Sequence, residues 1–212
     1  MTRMSAPPRT EIPRLDELPA ELETQRLRLR PLAVSDADAL WPIVSDREFP
    51  KFMSWAAHAD KAETVAFLEG MAQARTAGTD LAWAIERDSK AVGVVGLHGI
   101  RWQLRALRVD RAELGFWLSP AEQGHGLMTE AARAVVRFAF EELGLHKITV
   151  GCIEDNRPSH KVIKKLGFRY TGRLEEDVWR DGKWWTHLRF ELTSTEWSDV
   201  STTMPISRLP LT

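Results

Sequence analysis

The chain has 212 residues, 43% of them hydrophobic, and a formal net charge of −1. That length and apolar share support one packed core, and the near-neutral balance supplies no basic field for gripping nucleic acid. A single cysteine, Cys152, excludes an internal disulfide framework and points to a reducing compartment, and no apolar run is long enough to span a membrane.

Residues 1–22 hold four of the eleven prolines and no sustained periodicity, so they are expected as a disordered leader or as an arm that packs late on a domain at 23–197, with a polar tail at 198–212. The start lacks the apolar core of a signal peptide, and a cytoplasmic location is expected. From Gln25 to Arg30 leucine alternates with arginine, the period of a strand with one wet face. Ser35 is expected to cap a helix running to about Val44. Asp60 opens a second, with Val65, Phe67, Leu68 and Met71 on or near its buried stripe and an end near Gly78. Three strands follow, at 81–86, 91–100 and 113–118. The segment before the third carries Arg101, Arg105, Arg108 and Arg111; it suits a solvated loop or extended hairpin, or else a basic rim that attracts anions. The strongest helical pattern runs over 128–143, with Ala131, Ala132, Val135, Phe138 and Ala139 on one face and Gly144 as the stop. A strand at 147–153, a turn, and a short helix marked by Val162, Ile163 and Leu166 come next. Strands at 168–179 and 184–192 then pair across Asp181-Gly182, a strong hairpin signal. The order β-α-α-β-β-β-α-β-α-β-β predicts an α/β (α+β) fold: a mixed seven-stranded sheet with helices on both faces.

The turn Gln123-Gly124-His125-Gly126-Leu127-Met128-Thr129 joins the third of these strands to the strongest helix. Its two glycines let the backbone approach a ligand, and the unpaired N–H groups of the helix start make an anion site. A tight connection has the same appearance, so the turn alone leaves both readings open. A P-loop needs Gly-Lys-Ser/Thr, and a dinucleotide fingerprint needs a third glycine early in a βαβ unit; neither pattern fits. Further on come Asn156-Arg157-Pro158-Ser159 and Lys165-Leu166-Gly167-Phe168. Taken together these motifs resemble the GNAT superfamily of acyl-CoA-dependent N-acetyltransferases. The likeness is strongest to its RimJ/RimL branch, which acetylates protein N-termini, notably of ribosomal proteins. It spans roughly 23–197 and includes Thr24-Gln25-Arg26-Leu27-Arg28 and Asp181-Gly182-Lys183-Trp184-Trp185.

The resemblance implies a sheet that splays between the 113–118 and 147–153 strands, with acetyl-CoA inserted there as cosubstrate. It implies a pyrophosphate on the N–H groups of Gly124, His125, Gly126, Leu127 and Met128, with Gln123 and Thr129 beside them. The pantetheine arm would follow the backbone of Phe116, Trp117 and Leu118 and touch Asn156, and the imidazole of His125 would face solvent. Ser159 is the expected partner of the leaving thiolate. Glu113, which shares a strand face with Gly115 and the Trp117 indole, is the expected general base in apolar company. RimL-type enzymes place a glutamate where this chain has Val178, with Glu176 two residues earlier on the same strand face. The plain alternatives are a capping Asn156, a helix-start Ser159, a solvated Glu113 and a small buried Cys152. Core packing accounts for most of the nine tryptophans, with Trp55, Trp179, Trp184 and Trp185 placed near the acceptor side. The histidines at 58, 98, 146, 160 and 187 show no ligand spacing, so no metal is expected. The favoured acceptor is a protein N-terminal amine. A small amine (an aminoglycoside or polyamine), a succinyl-CoA donor and a non-catalytic acyl-CoA sensor remain open. Neither nucleic acid nor membrane is an expected partner; the exposed hairpin is a candidate homodimer surface.

Overall fold

Alternation along the strands sorts the interior into two layers. On β3 (Leu81–Arg87), Leu81, Trp83 and Ile85 join one apolar cluster, and Ala82 and Ala84 join another. A pleated strand covered on both faces divides its side chains in this way. The computed structural model describes residues 7–9, 11–15 and 18–203, with 199–203 given by backbone alone. Its eight strands are β1 (Leu22–Glu23), β2 (Arg28–Pro31), β3, β4 (Lys90–Leu104), β5 (Leu107–Leu118), β6 (Lys147–Ile153), β7 (Arg169–Arg180) and β8 (Lys183–Thr193). They form one sheet in the order β1-β2-β3-β4-β5-β6-β8-β7, in which only β5 and β6 run parallel.

Helices α1 (Ala37–Val44) and α2 (Lys61–Ala77) cover one face, packing Leu40, Val44 and Leu68 with Ala82, Val94 and Trp117. Helix α3 (Leu127–Glu141) and α4 (Arg157–Lys165) cover the other, where Val135, Phe138 and Ile163 meet Trp83, Ile148 and Phe190. Each fully buried leucine, valine or phenylalanine contributes about 1.5–3 kcal/mol, so packing rather than helical propensity holds α3 in place. The chain closes on α5 (Ser194–Thr203), whose Trp197 is buried and donates through Nε1 to Glu141 Oε1 at 3.2 Å.

Several local expectations hold for visible reasons. Asp60 caps α2 by accepting from the Glu63 N–H at 3.0 Å, and Gly78 ends that helix at φ 73°. Asp181 and Gly182 both have positive φ and turn β7 into β8, with Arg180 opposite Lys183. The arginine-bearing segment is an extended β4–β5 hairpin, with Gln103 opposite Arg108.

Others are corrected. Ser35 does not cap α1: a short 3₁₀ turn at Val34–Asp36 precedes that helix, and Asp36 closes it by accepting from the Ala33 N–H at 2.9 Å while pairing with Arg30 at 2.6 Å. Among the described residues the sheet has eight strands rather than seven, because the chain already pairs at Leu22, opposite Leu29. The described part of the 1–22 arm packs on the domain. Arg9 donates to the carbonyls of Glu141 and Glu142, both at 2.8 Å, which complements the C-terminal end of α3. Trp83 Nε1 donates to the Ala20 carbonyl at 2.9 Å. The rest of the arm and the tail beyond 203 lie outside the described residues.

Candidate active site

The parallel seam of the sheet closes for three residue pairs and then opens. β5 and β6 pair at Arg111–Lys147, Ala112–Ile148 and Glu113–Thr149, and no further. Beyond that point β5 keeps β4 as a neighbour, with Phe116 opposite Val95, and β6 keeps β8, with Val150 opposite Phe190. The main-chain groups along this seam therefore lack a strand partner. Backbone polar groups need one, and an extended ligand rich in amides supplies it as a peptide does at a sheet edge. A cleft of about 1630 Å³ opens here. That exceeds the ~300–1,000 Å³ of an ordinary small-ligand pocket and leaves room for two substrates at once.

At one end of the seam lies the glycine turn. Gly124 sits at φ 84° and Gly126, the N-cap of α3, at φ 79°, in the left-handed region that favours glycine. Leu127 and Met128 bury their side chains in the core, so what they offer the cleft is main chain. Thr129 also lines the cleft. Gln123 is tied back, its Nε2 donating to the Leu118 carbonyl at 2.9 Å, which fixes the turn against the end of β5. The His125 side chain is exposed and outside the cleft lining, and its carbonyl accepts from Arg26 at 3.0 Å. Glu130, one turn into α3, accepts from Thr24 Oγ1 at 2.7 Å and from the Arg26 N–H at 2.9 Å, and pairs with the Arg26 guanidinium at 2.6 Å. Burial pushes its carboxyl upward, but these bonds outweigh burial and hold it below the usual carboxylate range. A glycine-opened helix start with an anchored first turn fits a polyanion.

Across the seam, Asn156 caps α4 by accepting from the Ser159 N–H at 3.2 Å, and both residues line the cleft. The Ser159 hydroxyl lies near enough to the Cys152 thiol to favour its charged form. Burial pushes that thiol up to about 11 and the serine offsets only part of this, so Cys152 is a buried neutral thiol.

The face of the sheet that looks toward α1 and α2 carries the polar groups. Glu113 lies where the strands part, yet not in apolar company: its side chain is 51% exposed and its Oε1 stands 3.4 Å from Arg189 Nη1. Val178 lines the cleft, but Glu176 does not share its inward face. A bulge between Leu174 and Val178 breaks the alternation, leaving Glu176 exposed at φ 50° and bringing Asp177 into the lining. Asp177 Oδ2 lies 3.1 Å from His187 Nδ1 and 3.9 Å from Arg189 Nη2, and on the other bank His98 Nδ1 lies 3.0 Å from Asp80 Oδ1. These groups come from β4, β5, β7 and β8 and from the residue ahead of β3, so no linear spacing announces the set. The available signal was Gly115 and Gly151 inside strand patterns, which mark a close approach.

Aromatic side chains wall the outer half. Trp55, Trp117, Trp179 and Trp185 line the cleft, whereas Trp83 and Trp197 are core. Trp55 and Trp117 pack edge-on at 6.2 Å, and Phe52 meets Trp185 at 5.7 Å. Arg180 joins the two sides by donating to the Trp55 carbonyl at 3.1 Å. The arginines at 101, 105, 108 and 111 do not line the cleft. Their hairpin tip lies at the far end of β5 from the glycine turn, which removes them from any contact with a phosphate bound there. Among the described residues no helix is long and apolar enough to cross a membrane, and no cluster of His, Cys, Asp or Glu is arranged to hold a metal.

A mixed sheet that opens beside a glycine-started helix defines an acyl-CoA-dependent transferase. Residues 26–169 match the acetyltransferase (GNAT) domain, so the chain belongs to the GNAT family and is an acetyl-CoA-dependent N-acetyltransferase. It is 28% identical over 163 residues to YoaA of Bacillus subtilis, an uncharacterised N-acetyltransferase, covering 76% of this chain and 89% of that one. Over 85 residues it is 31% identical to the [ribosomal protein uS5]-alanine N-acetyltransferase of Escherichia coli, covering 40% of this chain and 44% of that protein. Among solved structures, RimL, the ribosomal L7/L12 α-N-protein acetyltransferase in complex with coenzyme A, superposes with a TM-score of 0.73 at 19% identity, over 80% of this chain and 95% of that one.

Proposed function

We propose that this enzyme acetylates the α-amine of a protein N-terminus, of the ribosomal-protein type, in the cytoplasm and by direct attack in a ternary complex. The observation that carries the proposal is the open seam beyond Glu113, which ends at the glycine turn on one side and at an aromatic-walled opening on the other. The pyrophosphate of acetyl-CoA lies over the N–H groups of 124–128, where the helix dipole favours negative charge. The pantetheine arm pairs along 116–118, and Asn156, whose carbonyl oxygen is committed to the α4 cap, meets an arm carbonyl through its NH₂. A main-chain N–H of the 116–118 stretch stabilises the developing oxyanion. Ser159 passes a proton to the departing thiolate. Glu113, already held by Arg189, draws the ammonium form of the acceptor to the point where the strands part. An α-amine, with a pKa of about 7.7–8.0, gives up its proton readily near neutrality and keeps a sizeable neutral fraction, which lysine does not. The tryptophan and phenylalanine walls suit an extended peptide better than a compact polar amine, and the stretch shared with the uS5-alanine enzyme supports the same acceptor class.

The test is calorimetry with coenzyme A followed by thiol release from acetyl-CoA, using hexapeptides that begin with Ala, Ser or Met beside spermidine and kanamycin. Turnover of the peptides, with kcat reduced in Ser159→Ala, is the expected result. Preference for a small amine would refute the acceptor, and binding without turnover across the panel would mark a sensor.

A further inference from the structure

Two imidazoles stand over the seam, one on each bank. His98 on β4 lies over Gly115 and His187 on β8 lies over Gly151. A Cβ at Gly115 would come within 2.8 Å of His98 Nε2, and one at Gly151 within 2.7 Å of His187 Nε2. Gly115 and Gly151 each lie two residues past the last β5–β6 pair, Glu113–Thr149, so each ring stands on its own bank just beyond the point of divergence. Both line the cleft.

Each ring is tethered in the same way. His98 Nδ1 is 3.0 Å from Asp80 Oδ1, and His187 Nδ1 is 3.1 Å from Asp177 Oδ2. An ionised carboxylate accepts and does not donate, so the hydrogen-bond network assigns the proton of each neutral ring to Nδ1 and leaves the lone pair on Nε2. That lone pair sits on the side of the ring that lies against the glycines bordering the gap. Alanine at either position would push the ring off this station.

We propose that His98 and His187 form a paired-imidazole acceptor site, in which the amine is held between the two Nε2 atoms and His187 is the base that takes its proton. This rests on the reading of the seam as the acetyl-CoA site. An attacking amine must aim its lone pair at the thioester carbon, so its N–H bonds need acceptors elsewhere, and an Nε2 lone pair on each bank of the cleft can supply them. His187 is the more enclosed ring, its side chain 18% exposed against 39% for His98. It is also braced by a line of alternating charges, Asp177, Arg189 and Glu113. With Asp80 beside His98, these are the charged groups facing the two rings.

The step balances with no further reagent. The amine nitrogen forms a C–N bond to the acetyl carbon, and its N–H proton passes to His187 Nε2. The C–S bond breaks with its electron pair on sulfur, and the thiolate takes a proton through the Ser159 hydroxyl. His187 then returns its proton to water. Amine and acetyl-CoA become amide and coenzyme A.

The experiment has three arms on the full chain. Nitrogen NMR of histidine-labelled protein, with and without coenzyme A, reads the tautomers. Calorimetry reads coenzyme A affinity. The pH profile of peptide acetylation reads the base. Neutral His187 should carry its proton on Nδ1. His187→Gln should lower kcat about 100-fold, the usual scale for a positioned base, with coenzyme A affinity unchanged. His98→Gln should mainly raise KM for the peptide. Asp177→Asn should let the ring populate the Nε2–H tautomer and lower kcat, because the ring loses the carboxylate that holds its proton on Nδ1. A proton on Nε2 in the wild type, an unchanged tautomer and kcat in Asp177→Asn, or a larger kcat loss at His98 than at His187 overturns the assignment. If His187→Gln does not fold, the tautomer and the Asp177 variant still decide. Wild-type protein that fails to bind coenzyme A sinks the seam reading itself, a result separable from a wrong tautomer.

Discussion

Replacing Gly126 with alanine isolates the backbone requirement of the glycine turn. Gly126 stands at φ 79° and ψ 1°, and a Cβ there would meet only Arg26 Nη2, at 3.8 Å. Steric collision is therefore absent and the cost is conformational: an L-residue held left-handed costs about 1–2 kcal/mol. For a chain of this size each 1 kcal/mol lowers the melting temperature by about 2–4 °C. If the alanine turn instead relaxes in the free protein, the same free energy appears on binding, as a roughly 5–30-fold weaker Kd for coenzyme A. The prediction is that the two losses together amount to about 1–2 kcal/mol. Gly124→Ala should behave alike, since Gly124 sits at φ 84° with nothing within 4 Å of its Cβ position. Gly70→Ala is the opposite control: Gly70 lies inside α2 with open space around it, and the change should stabilise by about 0.5–1 kcal/mol. Scanning fluorimetry gives the first quantity and calorimetry with coenzyme A the second. Gly126→Ala protein that melts and binds like wild type would refute the reasoning.

Three more outcomes are expected. Trp83 is fully buried and bonded to the Ala20 carbonyl, so Trp83→Phe should cost about 2–3 kcal/mol in urea unfolding; a cost under about 1 kcal/mol would mean that this contact with the arm is idle. The Glu130 carboxyl is held below its ordinary value, so its stabilisation is present above the unfolded carboxylate range and is lost as pH falls through the folded value. The melting difference between wild type and Glu130→Gln should accordingly be largest near neutrality and shrink in acid below about pH 4.5; a gap that widens in acid would contradict the ion pair. Cys152, pushed up from 9.0 to about 11, should react with iodoacetamide at pH 8 roughly 100-fold more slowly in the folded than in the urea-unfolded chain, and equal rates would show the thiol to be open.

Much of the fold and half of the site could be read from local pattern. The Asp60 and Gly78 caps, the α3 stripe and the Asp181-Gly182 turn each express a preference of a few neighbouring residues and appear where expected, while the Leu/Arg alternation expected from Gln25 pairs as β2 only from Arg28. The glycine-started turn and the Asn156–Ser159 helix cap likewise lie within single short motifs and take the local conformations their residue types favour. The acceptor half behaves differently. The bulge before Val178 reverses the phase of β7, so alternation counted from the hairpin favoured Glu176 where Asp177 faces the cleft.

What the amino-acid order determined by itself is the succession of elements and the glycine-started helix that follows β5. These follow from φ/ψ preference and side-chain periodicity, which act over a few residues. The tertiary structure alone decided that Glu113 faces Arg189, that Asp80 and Asp177 hold His98 and His187, and that two glycines on parallel strands make room for those rings. Such neighbours are set by strand register across a five-strand span of one sheet, β4 through β8 to β7. Register is a sum over every cross-strand contact, and no short stretch of the chain contains it.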